Sequence, residues 1–199
     1  MNSNRGKIAL GYARASGLAL LLMIVPTLVL APGGLCAQQA APTEYQIKAA
    51  YLYNFGKFVH WPARVEAAPN KSFSVCVLGQ DPFGPALKAI LAGQNIDGEE
   101  TVAATIARPE DAANCRILYI SSSEEHRLKE IIAALDDSSV LTVSDLPSFS
   151  KKGGMVGFVF NNNKIRFEVN LGKAQRAGLT MSSELLKLAV AVRNSPAGN

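Results

Sequence analysis

Four short apolar runs, residues 73–78, 101–106, 116–120 and 140–143, alternate with stretches punctuated like helices and turns. Alternation of this kind implies parallel pairing through right-handed crossovers, because a parallel neighbour cannot be reached by a tight turn. The chain is thereby restricted to a layered α/β domain. The rhythm changes after residue 154. Residues 155–160 and 164–169 flank Asn161-Asn162-Asn163, and asparagine tolerates the positive φ of a hairpin turn. In the second arm Ile165, Phe167 and Val169 alternate with Lys164, Arg166 and Glu168, giving one buried face and one wet face. The expected fold is a layered sandwich with a mostly parallel sheet plus a C-terminal antiparallel hairpin, flanked by helices.

The helix signals fill the gaps. Thr43 and Gln46 fit a capping box, and Ile47, Tyr51, Phe55 and Phe58 follow at helical spacing. Pro62 disfavours helical geometry at Trp61 and should end this helix, with residues 63–71 as a connecting loop. Asp81 suits an N-cap and Pro82 the first helical position of a helix running to residue 91, which Gly93 closes. Residues 109–112 read as one helical turn, Ser121, Ser122 and Ser123 as the cap of a helix over 124–135, and residues 172–177 as a short helix. A longer helix is expected over 183–192, with Leu185, Leu186, Leu188, Ala189 and Val192 as its apolar stripe.

The start of the chain stands apart. Arg5, Lys7 and Arg14 form a basic opening, an apolar run covers residues 18–30, and small residues lead to Ala37. This is the layout of a secretory signal peptide, with cleavage expected after Ala37 and no membrane insertion afterwards. The apolar run is shorter than the roughly 20 residues a spanning helix needs, though an uncleaved anchor is the alternative. Cys36 invites a lipoprotein reading, which Leu35 disfavours by placing a large side chain just before it. Residues 38–43 then form a loose leader, 44–193 a single domain and 194–199 a flexible tail.

Three basic residues and no acidic one lie in 1–37, so the formal charge beyond it falls from +4 to +1. The basicity belongs mostly to the export signal, and no polybasic patch for nucleic acid remains. Export also leaves two cysteines, Cys76 and Cys115, in an oxidising compartment. Each lies in or beside an expected strand, so a bridge between neighbouring strands is sterically conceivable. The alternative is two small buried thiols, since free cysteine packs as a modest hydrophobe.

The turn Gly79-Gln-Asp-Pro-Phe-Gly84 follows a strand and has the glycine spacing of a phosphate-binding loop. The motif's lysine position is Pro85 and its hydroxyl position is Ala86, so both phosphate- and magnesium-binding groups are missing. Asp81 adds a carboxylate where a phosphate would sit. No nucleotide, metal or other cofactor is expected. His60 and His126 stand in different segments without metal-ligand spacing, and no G-x-S-x-G surrounds the serine cluster. Glu124 and Glu125 open a helix, where negative charge suits the macrodipole. No enzyme signature survives.

Surface candidates remain. Tyr45, Tyr53, His60 and Trp61 cluster in the first helix and its exit, where aromatics can anchor a protein interface or simply belong to the core. Arg166 and Glu168 on the wet hairpin face can meet a partner or pair across strands, and Lys151-Lys152 reads as a solvated turn.

Six co-linear segments then carry a family resemblance: KAAYLYNFGKFVHWP (48–62), VCVLGQDPFGPAL (75–87), CRILYIS (115–121), VLTVSDLPSFSKKGGMVGFVF (140–160), IRFEVNL (165–171) and MSSELLKLA (181–189). In order and spacing they resemble the YfiR family of small exported bacterial domains. The resemblance implies a non-enzymatic periplasmic repressor, able to form a homodimer. Such a protein binds the periplasmic sensor domain of an inner-membrane diguanylate cyclase, holds back cyclic di-GMP synthesis and so restrains biofilm growth. It also implies a redox-sensitive element, since family members carry cysteines at the positions of Cys76 and Cys115. The second pair that some relatives carry has no counterpart between residues 144 and 162, so any switching must rest on this one. Two other classes compete. One is a periplasmic small-molecule-binding module using the crevice at the carboxyl ends of the strands, near residues 79–83 and 121–123. The other is a hydrolase built on the serine cluster.

Overall fold

The computed structural model describes residues 41–63 and 72–194. The expected signal peptide, the first half of the leader, the greater part of the 63–71 loop and residues 195–199 lie outside the described residues. The elements run α1 (Glu44–Phe58), β1 (Val59–His60), β2 (Ser72–Leu78), α2 (Pro85–Leu91), β3 (Asn95–Ile96), β4 (Glu99–Ile106), β5 (Ile117–Ile120), α3 (Leu128–Ala134), β6 (Leu141–Ser144), β7 (Val156–Asn161), β8 (Lys164–Asn170), α4 (Leu171–Arg176), β9 (Thr180–Met181), α5 (Ser183–Leu188) and β10 (Ala191–Arg193). Two 3-10 segments, Pro109–Asn114 and Ser122–Arg127, precede β5 and α3.

The described strands form an eight-stranded sheet in the order β10-β8-β7-β6-β5-β2-β4-β3, and β1 pairs with β9 apart from it. Pairing is parallel throughout the centre and antiparallel at β7–β8 and β3–β4. This is the expected mostly parallel sheet with a C-terminal hairpin, flanked by helices. Strands β2 and β5 are apolar on successive residues because both faces are covered. Val75, Val77, Ile117 and Tyr119 join the larger core with residues of α1, α2, α4 and α5. Cys76, Leu78, Leu118 and Ile120 join a smaller core with Leu128 and Ile131 of α3. The β7–β8 turn places Asn162 and Asn163 at positive φ, as the asparagine run suggests.

Four local expectations need correction. Helix α1 ends at Phe58, before Pro62 can act: β-branched Val59 is extended and pairs with Met181. The buried residues of α1 are Lys48, Ala49, Leu52, Phe55 and Gly56, while Phe58, assigned to the apolar face, is exposed. Helix α2 starts at Pro85, not Pro82. Asp81 Oδ1 accepts from the Phe83 amide (2.7 Å), forming a local turn, and Gly84, at φ 54°, stands immediately before the helix. The segment over 124–135 opens as a 3-10 turn and becomes α-helical only at Leu128.

The expected last helix over 183–192 is also shorter. It stops at Leu188, and Ala191–Arg193 become a strand parallel to β8. Val190 and Val192 favour extended backbone, and pairing satisfies main-chain groups that β8 would otherwise leave open. The Val190 amide donates to the Phe167 carbonyl (2.9 Å). Of the stripe assigned to that helix only Leu185 is buried; Leu188 and Val192 are exposed.

Candidate functional site

The capping box at the start of α1 is complete. Thr43 Oγ1 accepts from the Gln46 amide, and Gln46 Oε1 accepts from the Thr43 amide. It fixes the helix phase so that Tyr45, Lys48, Leu52 and Phe55, three or four residues apart, point to the sheet. One of these is a lysine, and Lys48 is 3% exposed. Its Nζ donates to Asp145 Oδ2 (2.5 Å) and pairs with Glu44 Oε1 (2.5 Å), one turn earlier. It also lies over the Tyr45 ring, 4.5 Å from its centroid.

Asp145 follows the last residue of β6. Ser144 Oγ donates to the Ile120 carbonyl (2.8 Å) and accepts from the Leu146 amide (3.1 Å), which holds the turn that presents Asp145. The Tyr45 hydroxyl also donates to Asp145 Oδ2 (3.2 Å). Burial pushes the Asp145 carboxyl up, but the hydrogen bond and charge of Lys48 outweigh it and hold the group below its ordinary range. Burial likewise works against charged Lys48, and its two carboxylates outweigh that, raising the amine. Burial and then Asp145 push the Tyr119 phenol well above its usual range. Its hydroxyl is fully buried without a well-formed hydrogen bond. The rings of Tyr45, Phe83 and Tyr119 pack edge-on beside this network, with centroids 5.5 and 4.7 Å apart.

A pocket of about 170 Å³ opens against the network. Glu44, Lys48 and Asp145 form its polar wall, and Phe158, Val159, Phe160 and Ile165 of the β7–β8 hairpin form its apolar wall. Phe160 stands 70% exposed.

The sheet reverses its strand order between β2 and β5, where an open α/β sheet usually offers a crevice. The protein fills this one itself. Gly79, at φ 87°, brings its backbone so close to Ser123 and Glu124 that an added Cβ would collide with both side chains. Ser123 Oγ accepts from the Gln80 amide (3.0 Å), and Ser121 Oγ accepts from the Ser123 amide (3.4 Å). Ser121 and Ser123 therefore serve the local backbone, and Ser122 is exposed. Among the described residues, no group of three or more His, Cys, Asp or Glu side chains is placed to hold a metal ion.

Cys76 and Cys115 form a disulfide across 39 residues of sequence, with Cα atoms 5.9 Å apart. It ties β2 to the entrance of its neighbour β5, at residues 2% and 3% exposed. The bridge, not the pair of free thiols, is what the structure holds.

Residues 45–190 match the model of the YfiR/HmsC-like family. The chain belongs to that family. A solved structure, a conserved domain protein from Vibrio cholerae O1 biovar eltor, superposes with a TM-score of 0.50 at 13% identity, over 76% of this chain. The match covers only 60% of that protein's chain, and the likeness concerns the fold alone.

In this YfiR/HmsC-like chain the residues singled out for an interface do not form one patch. Tyr53 is half-buried and donates to Gln94 Oε1 (2.9 Å), with Lys57 over its ring. His60 is exposed on β1, paired with Thr180. Trp61 donates through Nε1 to the Arg116 carbonyl (3.2 Å) and packs edge-on against Phe73, so it closes the rim of the core. Arg166 and Glu168 alternate with inward-facing Phe167 and so sit on the opposite face of the sheet. Glu168 accepts from Ser150 Oγ (2.8 Å) and lies 3.7 Å from Arg193. Lys48, Tyr119 and Asp145 escaped selection from the sequence. A lysine in the buried stripe of a helix and an aspartate just after a buried strand were the available signals. Among the described residues no helix is long and apolar enough to cross a membrane.

Proposed function

We propose that this protein is an exported regulator that binds the periplasmic sensor region of an inner-membrane diguanylate cyclase and represses cyclic di-GMP synthesis. Membership of the YfiR/HmsC-like family across residues 45–190 carries this reading. The Cys76–Cys115 disulfide supports the exported location, since such bridges persist in oxidising compartments. The basic and apolar start of the chain supports it as well. A repressor needs no chemistry of its own. It shifts the cyclase by the difference between its affinities for the inactive and active sensor conformations. A hundredfold preference is about 2.7 kcal/mol, within the reach of one protein interface.

Immobilised mature protein, with its disulfide intact, should retain a membrane-bound diguanylate cyclase through that cyclase's periplasmic region. Adding the isolated periplasmic region in excess should release it. Failure to retain any such cyclase from membranes that contain one would overturn the proposal.

A further inference from the structure

The pocket between α1 and the β7–β8 hairpin has a charge pattern that selects a ligand class. Among the described residues Lys48 is its only cationic lining residue, and it is already held at 2.5 Å by both Glu44 and Asp145. Two carboxylates against one ammonium leave a formal charge of −1 at the polar wall. An anionic ligand would have to break an existing buried pair to reach Lys48, which is costly in a desolvated site. A cation instead adds to the carboxylate side, and Glu44, whose side chain is 57% exposed, can turn toward it.

The opposite wall is apolar and partly aromatic. Phe158 is buried, while Phe160 leaves 70% of its surface in water at the end of β7. An aromatic face beside carboxylates suits a cation on an apolar stem, through ring-quadrupole attraction and burial of the stem. The volume limits the size. About 170 Å³ is below the roughly 300–1,000 Å³ of pockets that enclose drug-sized molecules, so it fits a group of side-chain size.

We propose that this pocket binds a primary ammonium or guanidinium group carried on a short apolar or aromatic stem. Its ionic contacts come from Glu44 and Asp145, and its stem rests on Phe158, Phe160 and Ile165. Tyr45, one of the aromatics singled out for an interface, borders the site through its hydrogen bond to Asp145, and the proposal stands independently of cyclase repression. The same chemistry can come from a small organic amine or from a lysine or arginine side chain of a partner protein.

Calorimetric titration of the disulfide-intact protein with phenethylammonium tests the idea, with 2-phenylethanol as the neutral control of similar shape. The amine is expected to bind with Kd near or below the order of 1 mM, and the alcohol at least about tenfold more weakly. Glu44→Gln and Phe160→Ala alter exposed side chains and should each weaken the amine about threefold or more. Phe160→Ala should leave the thermal unfolding midpoint nearly unchanged, and Glu44→Gln should lower it only slightly, because Asp145 still holds Lys48. They keep the test open if Asp145→Asn, which disturbs a buried pair, does not fold. The blocked dipeptide N-acetyl-Phe-Arg-amide distinguishes the sources. Tighter binding than phenethylammonium points to a partner's side chain, and weaker binding to a free amine. Equal affinity for amine and alcohol, no binding of either cation, or an affinity unmoved by both variants would overturn the proposal.

Discussion

On one face of the sheet, Phe55 of α1 stacks against Phe158 at 6.0 Å and meets Phe167 edge-on at 5.1 Å, inside a core that four helices cover. On the other, one short helix and a 3-10 turn cover a much smaller core, and the Cys76–Cys115 bridge lies within it. The first face draws on apolar area and aromatic packing. The second has less to bury and carries a covalent link between β2 and the start of β5. The two faces therefore respond to different insults. Loss of a large side chain should damage the first most, and reduction should act on the second. The Lys48–Asp145 pocket lies with α1 on the aromatic face, across the sheet from the Cys76–Cys115 bridge.

The largest effect is expected from Phe55→Ala. Removing a fully buried aromatic ring from the large core should cost about 3–5 kcal/mol in urea unfolding. A loss below about 1.5 kcal/mol would mean that this face does not depend chiefly on packing.

Replacing both cysteines by alanine should cost about 3–4 kcal/mol, as expected for opening a loop of this length in the chain-entropy model. The comparison sharpens in hydrogen exchange. Protection should fall first in Pro109–Asn114, β5 and α3, while α1 and the β7–β8 hairpin keep theirs. Equal loss on both faces would break the distinction.

Asp145→Ala should cost about 2–3 kcal/mol, less than the roughly 3–5 kcal/mol for breaking a fully buried pair, because Glu44 still partners Lys48. Lys48→Met combined with Asp145→Leu should recover much of that loss, since an apolar replacement leaves no buried charge unpaired. Calorimetric melting of the single and double variants measures the recovery.

The smallest effect is pH dependence at this site. The folded Asp145 carboxyl lies below its unfolded value of about 3.9, so its contribution is present above that pH and is lost as pH falls through the folded value. Lys48 lies above its unfolded value of about 10.4, so its contribution is complete below that pH and is lost as pH rises through the folded value. Asp145→Asn should flatten the acid limb of stability against pH and weaken the alkaline limb.

Much of this molecule was legible in its residues because strands covered on both faces and helices covered on one leave different patterns. The buried runs of β2 and β5 and the Asn161–Asn163 turn follow directly. The tail did not. Leu185, Leu188 and Val192 fit helical spacing, yet the vacant edge of β8 took Ala191–Arg193 as a strand, and a neighbouring edge leaves no mark in local sequence. Pro82 was likewise a plausible helix start until the Asp81 turn delayed it by three residues. At the candidate site Tyr45 stood out as an aromatic, but the partnership of Lys48 with Asp145 joins residues 97 apart in sequence. Only the crossover topology that sets β6 beside β5 makes them neighbours.

The regulatory reading meets its most direct test in the cell. Cyclic di-GMP should be quantified by mass spectrometry in a deletion strain and in the same strain carrying the intact gene. The account predicts a clear rise on deletion and a return to the parental level on complementation, with the rise abolished when the partner cyclase is also removed. A cyclic di-GMP level unchanged by the deletion, under conditions where that cyclase is expressed, would contradict it.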